Sequence, residues 1–180
     1  MRRRGVRRRA GVTLIEACAI FCLVGVALAV FVPSFIRRLR TSKLDEPRAL
    51  LEELDRRAQA YYRTRQGNRA RCLPPEVGPT PADVGPEAAP FLAGSTPEAE
   101  ASWAALGFAP DRDVYFRYTF EPAEEGCGVD VPAGEPLYRI RAEGDLDGDG
   151  ALSRFERRAT LDADGRVVPL GPLRVSDRTE

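Results

Sequence analysis

The sequence predicts an α+β protein in which a long N-terminal helix, embedded in a membrane over its first half, packs on a small antiparallel β-sheet. Three observations lead to this fold class. The run of 25 residues from Val12 to Ile36 carries one charged side chain, Glu16. Apolar residues then recur at helical spacing as far as Tyr62. Short alternating segments in the carboxy-terminal half are typical of strands.

The overall composition is that of a globular protein with an uneven distribution of charge. Basic and acidic residues are equal at 27 each, but six arginines lie in residues 1–11, which hold no acid. The rest of the chain has 21 basic and 27 acidic residues, which gives it a net charge of −6. Nucleic acid requires a basic surface, so we expect no nucleic-acid partner. The chain has no histidine, which excludes Ser-His-Asp and Cys-His catalysis, and we do not expect an enzyme.

Residues 1–40 have the pattern of a single membrane-spanning segment. The arginine-rich leader, residues 1–11, precedes a 20-residue uncharged stretch from Ala17 to Ile36, and three more arginines follow that stretch. Twenty helical residues at ~1.5 Å each span the ~30 Å hydrocarbon layer of a bilayer. The leader is expected to stay in the cytoplasm, which places the carboxy-terminal part outside. A secretory signal peptide cleaved near Ala29 is the alternative, although its apolar region needs no glutamate.

The junction between leader and apolar stretch carries a specific motif. Residues 11–16 read Gly-Val-Thr-Leu-Ile-Glu, and Pro33 follows 17 residues after the glutamate. This order resembles the class III leader of type IV pilins and pseudopilins. The resemblance implies that a prepilin peptidase cuts after Gly11 and methylates the new amino group of Val12. The family usually has phenylalanine or methionine at the position of Val12.

The resemblance also assigns a role to Glu16. A carboxylate in hydrocarbon is costly, and an ionisable residue there is by default a functional hypothesis. By resemblance, its carboxylate pairs with the terminal amine of a neighbouring subunit and sets the register of a helical filament. Opposite charges in a low-dielectric filament core are tolerable when they are paired. The expected partners are therefore other pilin or pseudopilin subunits, the prepilin peptidase and the inner-membrane assembly platform.

An amphipathic segment is predicted to continue the membrane helix, so that residues 12–66 form one nearly continuous helix with a polymerisation half at 12–36. Its apolar side chains recur at three- and four-residue spacing, with arginine and glutamate between them. They are Leu44, Leu51, Leu54, Ala58, Tyr61 and Tyr62. We interpret them as residues that pack on a sheet. Pro33 and Pro47 lack an amide donor and are expected to bend or loosen the helix.

The remaining residues, 67–180, are predicted to form an exported head. Residues 67–101 hold seven prolines and little periodicity, which predicts a long loop. Oxidising surroundings favour a disulfide between Cys72, at the start of this loop, and Cys127, with two free thiols as the alternative. Cys18 and Cys22, one turn apart in the membrane segment, are interpreted as small apolar packing residues in preference to metal ligands.

Alternating apolar and polar residues predict a strand meander in the head. The segment from Trp103 to Phe108 is interpreted as an apolar anchor ahead of it. Four strands are predicted, at residues 114–120, 137–142, 154–161 and 166–170. Asp164-Gly165 is a suitable hairpin turn between the last two. A meander with one face against the helix is the expected pilin-like head.

Residues 145–156 match every position of a twelve-residue EF-hand-type calcium loop. The predicted ligands are the carboxylates of Asp145, Asp147 and Asp149, the carbonyl of Ala151, Ser153 with a bridging water, and a bidentate Glu156. Four acids this close repel one another unless a cation neutralises them. A solvated Asp-Gly turn is the alternative. Because the preceding segment is a predicted strand, the calcium is expected to fix a hairpin of the head in a calcium-containing exterior.

Two functional classes follow. One is a structural subunit of a type IV pilus or of a type II secretion pseudopilus, held by a single span in the bacterial inner membrane with its head in the periplasm before assembly. The other is an exported or membrane-anchored calcium-binding protein that never polymerises. The state of the mature amino terminus separates the two.

Overall fold

The computed structural model describes residues 13–93 and 96–176, and within this part of the chain the fold is α+β. Residues 1–11, predicted as the leader, and Val12 lie outside the described residues, as do 94 and 95 in the proline-rich segment. The chain divides into two compact units between Thr41 and Ser42. The predicted α+β class, with an apolar N-terminal helix and antiparallel sheets, is confirmed.

The first helix, α1 (Leu14–Lys43), begins with the apolar stretch. Its segment Leu14–Pro33 has a mean hydropathy of 2.6, and none of it is buried against the rest of the protein. By length and composition this segment can cross a membrane, a test that a signal sequence near the N-terminus also passes. Pro33 lies inside α1, which continues for ten residues beyond it.

The predicted single helix over residues 12–66 is divided in two at Leu44. The second helix, α2 (Asp45–Arg63), starts with Asp45 and Glu46, so that Pro47 is its third residue. An amide at that position has no partner within a helix that starts at Asp45, but in an unbroken helix it would bond the carbonyl of Lys43. Pro47 therefore stops one helix and fits the first turn of the next, where the sequence predicts one helix that is bent or loosened.

Two antiparallel sheets follow the helices. In the larger, the strand order is β2-β3-β5-β6-β7, and β8 also pairs with β6; in the smaller, β1 pairs with β4. The strands are β1 (Cys72–Leu73), β2 (Val77–Thr80), β3 (Arg117–Pro122), β4 (Gly126–Cys127), β5 (Tyr138–Gly144), β6 (Ser153–Leu161), β7 (Val167–Pro169) and β8 (Arg174–Ser176). A third helix, α3 (Pro97–Leu106), precedes β3.

The four predicted strands correspond to β3, β5, β6 and β7, with ends displaced by up to three residues. Residues 67–101, predicted as a loop without extensive regular structure, contain the short strands β1 and β2 and the start of α3. Strand β2 lies at an edge of the sheet, where Pro79 needs no amide on its solvent side. The predicted apolar anchor at Trp103 is the end of α3, closed by Gly107 at φ 64°.

The core lies between α2, α3 and one face of the larger sheet. Alternation along the strands places one set of side chains inward and the other outward. Tyr118 of β3, Tyr138 of β5 and Phe155 of β6 are fully buried against apolar residues of α2 such as Leu51 and Leu54. The predicted packing role of the α2 residues is thus confirmed for Leu51, Leu54, Ala58 and Tyr62.

Candidate functional site

The start of α1 is built around Thr13 and Glu16. The carboxylate of Glu16 accepts hydrogen bonds from the Thr13 backbone N–H and from the Thr13 hydroxyl, both at 2.8 Å. The Thr13 hydroxyl in turn accepts from the Glu16 N–H at 3.3 Å. This reciprocal arrangement is a capping box, in which a threonine before the helix and a glutamate in its first turn satisfy otherwise unpaired amides. The Thr-x-x-Glu spacing signals it in the sequence, and our sequence reasoning missed it.

The capping box gives Glu16 a local structural role beside the predicted assembly role. Gly11 and Val12, the predicted processing residues, lie outside the described residues, so the pairing of Glu16 with an amine stays a prediction. The carboxylate is nevertheless held at the first described residue of the chain, next to the position where the predicted mature amino terminus lies. Glu16 itself is exposed.

The apolar stretch of α1 presents large side chains on all sides. Twelve of them are exposed within the described residues: Leu14, Ile15, Ile20, Phe21, Leu23, Val24, Val26, Leu28, Val30, Phe31, Val32 and Phe35. Cys18 and Cys22 are exposed free thiols of the same stretch. A helix that is hydrophobic all round is stable only when lipid or other protein covers it.

A disulfide joins Cys72 and Cys127, which confirms the predicted pair. The two residues are cross-strand partners of β1 and β4, and their Cα atoms are 3.9 Å apart. The bond closes a loop across 55 positions of the chain, for which a chain-entropy estimate gives about 4 kcal/mol of stabilisation. Next to it, the Tyr62 hydroxyl donates to the Val129 carbonyl at 2.7 Å, so the end of α2 is tied to the same region.

The predicted calcium loop is the connection between β5 and β6. Gly144 and Ser153 are the last paired residues of the hairpin. The buried Asp145 holds the loop with both carboxylate oxygens, which accept from the Gly148 N–H at 2.7 Å and the Gly150 N–H at 3.0 Å. Gly150 takes a φ of 90°, a left-handed conformation that glycine adopts without strain and that matches its predicted turn.

Three of the predicted ligands come together in this loop. One carboxylate oxygen from each of Asp145, Asp147 and Asp149 lies within 4.8 Å of the other two. Calcium binds oxygen at 2.3–2.6 Å, so two oxygens on one ion are at most about 5 Å apart. The donor set therefore fits a hard divalent cation. Ala151 follows the cluster directly, and its N–H donates to the Asp149 carboxylate at 2.7 Å.

The other two predicted side-chain ligands belong to β6. Ser153 is fully buried as the first residue of the strand. Glu156 is not part of the aspartate cluster: its carboxylate lies 3.5 Å from the Arg158 guanidinium, and its neighbours across the sheet are Arg141 and Arg174. In a helical loop, position twelve folds back toward the ion. An extended chain instead carries it about 10 Å beyond position nine. Glu156 therefore lies in β6, apart from the three aspartates, and its role as a ligand stays a prediction.

A buried glutamate stabilises the end of the hairpin that carries the loop. Glu143, in β5, accepts from Arg117 at 2.8 Å and from Arg154 at 2.7 Å. Burial alone would raise the pKa of Glu143, but the hydrogen bonds and charges of the two arginines outweigh it and hold that pKa below its usual range. The last residue pairs of the hairpin before the loop are thus bridged across β3, β5 and β6.

Two buried carboxylates that sequence reasoning missed fix α2 to the sheet. Glu46 accepts from the Tyr115 N–H at 2.9 Å, the Phe116 N–H at 3.3 Å and the Tyr118 hydroxyl at 3.1 Å. Burial raises the pKa of Glu46, although these donors lower it in part. The second, Asp55, accepts from the Tyr138 hydroxyl at 2.7 Å. Both lie among charged residues of an amphipathic helix, and their sequence pattern does not distinguish them from solvent-exposed acids.

Comparison of the chain with protein-family models, with curated proteins and with solved structures finds no match. The candidate sites are therefore interpreted from their own geometry and from the motif at residues 11–16.

Proposed function

We propose that the chain is a structural subunit of the pilin and pseudopilin kind and not an enzyme. It assembles through its N-terminal helix into a filament. The observation that carries the proposal is the helix stretch Leu14–Pro33, apolar on every side and unburied, whose one carboxylate lies in its first turn. Lipid covers such a surface before assembly and the same helices of other copies cover it afterward. The carboxylate at one end needs a cation in either setting.

The capping geometry supports a pairing role for Glu16. Its carboxylate already lies against the Thr13 N–H, one residue from the proposed mature terminus at Val12. A methylated amine released there carries a positive charge in a region of low dielectric. A carboxylate fixed at the helix start is a suitable partner for the amine of an adjacent copy, because pairing removes two isolated charges at once. The expected partners in the membrane are the prepilin peptidase and the assembly platform.

The head is proposed to be exported and stabilised by calcium. The disulfide at Cys72 favours an oxidising compartment such as the periplasm. Calcium at Asp145, Asp147 and Asp149 would neutralise three clustered carboxylates at the tip of the β5–β6 hairpin. Its proposed role is structural, since Asp145 already holds the loop through the glycine amides.

The mature amino terminus tests the proposal directly. Mass spectrometry of the protein isolated from its own cells should give an N-terminal peptide that begins with N-methylated Val12. A chain that retains residues 1–11, or one that begins near Val30, would contradict the pilin-like assignment. Either of those results would favour the second candidate, a calcium-binding protein anchored or exported without polymerising, for which the aspartate cluster is the supporting observation.

A further inference from the structure

The larger sheet has a charged outer face. Side chains that alternate with the buried residues of β3, β5 and β6, together with one from β8, point away from the core. The charged residues of this outer sheet face are six arginines and three glutamates. They are Arg117, Arg139, Arg141, Arg154, Arg158, Arg174, Glu121, Glu143 and Glu156. Its formal charge is therefore +3.

This charge is opposite to that of the rest of the head. Residues 43–176 hold 17 basic and 24 acidic side chains. Outside the outer sheet face, 11 basic residues stand against 21 acidic ones, a net charge of −10. A basic surface on so acidic a domain is a strong local asymmetry, and complementary fields of this kind guide association between proteins.

Part of the outer sheet face is neutralised within the chain and part is not. Arg117 and Arg154 both pair with Glu143, Arg141 pairs with Glu121, and Arg158 pairs with Glu156 at 3.5 Å. Arg139 and Arg174 lie opposite Glu121 and Glu156 across the sheet, but neither has a carboxylate within 4.0 Å among residues 13–93 and 96–176.

One contact in this face is unfavourable for folding. Arg139 is directly opposite Arg158 in the β5–β6 register, and like charges placed opposite each other destabilise a sheet. Arg139 is also exposed. Within the sheet, Arg139 also lies directly opposite Glu121, and Arg158 lies 3.5 Å from Glu156. Because the Glu121 carboxylate pairs with Arg141, a carboxylate supplied from outside would give the Arg139 guanidinium a partner of its own.

The same head offers an acidic surface on its other side. Residues 83–113, the acidic stretch, contain six carboxylates and one arginine. The acids are Asp83, Glu87, Glu98, Glu100, Asp111 and Asp113, all of them exposed. The stretch includes α3, whose Trp103 packs with Phe91, Phe108 and Tyr118 on the inner face of the sheet. The sheet therefore lies between α3, which carries Glu98 and Glu100 of the acidic stretch, and the outer sheet face.

We propose that the outer sheet face of one copy, centred on Arg139, Arg158 and Arg174, binds the acidic stretch of a second copy. Because the two surfaces differ and lie on opposite sides of the head, the contact is heterologous. A heterologous contact repeats from copy to copy and produces an open chain instead of a closed dimer. The inference rests on the proposed function and adds to it a head-to-head contact that runs beside the assembly of the N-terminal helices.

Zero-length cross-linking tests the contact in the full-length protein. Lys43 is the single lysine of the chain, so Arg139→Lys adds one defined amine to the outer sheet face. Cells that produce this variant are treated with a carbodiimide, which joins an amine directly to a carboxylate, and the band of dimer mass is analysed by mass spectrometry. The expected product links residue 139 to a carboxylate of the acidic stretch. Arg65→Lys, exposed just after α2, is the matched control and should give no such link.

Charge reversal provides a second test of the proposed contact. Arg139→Glu combined with Arg158→Glu is expected to lower the amount of subunit in the sheared filament fraction about tenfold, because like charges then face each other. Adding Glu98→Arg and Glu100→Arg should restore it to within about threefold of the wild type. Rescue of this kind is not expected if the first pair of substitutions simply prevents folding.

The outcomes separate this contact from the proposed function. Filaments that form without the link, a link to a different protein or to nucleic acid, or a failure of the rescue would each overturn the contact and leave the subunit assignment standing. A link between copies in cells that make no filament and keep residues 1–11 would support the contact and overturn the assignment.

Discussion

Two glutamates lie in the first turns of the two N-terminal helices, and they have different roles there. Glu16 is exposed and accepts from the residue that caps α1, whereas Glu46 is 8% exposed and accepts from three donors at the start of β3 and just before it. An acid in a first turn is favoured by the helix dipole in both cases. The first leaves its charge available to another chain, and the second uses its oxygen to position α2 on the sheet.

The charge of Glu16 can be separated from its capping hydrogen bond. Glutamine at the third position of a capping box also reaches back to the capping residue, so Glu16→Gln keeps the helix start but removes the charge. We expect Glu16→Gln to be processed after Gly11 and to be lost from the filament fraction as severely as Glu16→Ala. Quantitative immunoblotting of sheared filaments measures this. Normal incorporation of the glutamine variant would mean that Glu16 acts as a cap alone.

The raised pKa of Glu46 predicts how stability changes with pH. Because burial favours the protonated carboxyl in the folded state, the stabilisation is fully present below the unfolded pKa and is lost as pH rises through the folded one. All three donors contact the same oxygen, and glutamine retains such an oxygen. Glu46→Gln should therefore be at least as stable as the wild type at pH 7.

Thermal unfolding between pH 4 and pH 8 measures this effect. The wild type should lose stability across that range more than Glu46→Gln does. Glu46→Ala is the contrasting variant, and it should lose about 2 kcal/mol at every pH because buried donors are left without a partner. A melting temperature of Glu46→Gln that falls as far as that of the alanine variant would show that the charge itself is required.

At the level of elements, the sequence predicts strongly periodic segments well and interrupted ones poorly. The strands β3, β5 and β6 follow from alternation because one of their faces is buried. Strand β2 was missed because Pro79 lies within it and Pro81 follows it, and prolines usually mark loops. The cysteine pair was predictable from composition and compartment alone, since four cysteines divide into two in the apolar stretch and two beyond it.

The calcium loop shows where a motif match stops being a structural match. The aspartates and glycines act within a few residues of one another, so their spacing alone brings them together. The last position of the motif needs a helical turn after the loop, and this chain supplies β6 in its place. The length of the β6 pairing with β5, from Ser153 to Ala159, decides the position of Glu156 and is not visible in the twelve-residue pattern.

Calcium binding at this hairpin should therefore depend on the aspartates and not on Glu156. We expect millimolar calcium to raise the melting temperature of the protein by a few degrees, as a weak extracellular-type site does. Asp147→Ala should abolish the shift, and Glu156→Gln should retain it, although its stability without calcium changes through the lost Arg158 contact. Differential scanning calorimetry with magnesium as the comparison ion measures both. Loss of the shift in Glu156→Gln would restore the twelve-residue loop, and an unchanged shift in Asp147→Ala would remove the site.

On the scale of the whole molecule, the surfaces of the two compact units are suited to different surroundings. The first presents its large apolar residues outward along α1. The second buries a continuous core of α2, α3 and the sheet, closed by a disulfide. The formal charge of zero hides the same division, because the arginines of the leader balance the acids of the head. If the leader is removed as proposed, the mature chain becomes acidic and the basic outer sheet face is its main exception.

This division predicts that the head folds without the apolar helix. The buried hydrophobic residues among those described all lie from Leu50 onward, so removing residues 1–41 takes none of them from the core. A fragment that begins at Ser42 should be soluble without detergent, and its melting temperature should equal that of the full chain in detergent within about 3 °C, the scale of a sub-kcal/mol change. Circular dichroism of both proteins measures this. A fragment that aggregates or melts far earlier would show that the first unit supports the head, and the anchor and the head would then have to be treated as one folding unit.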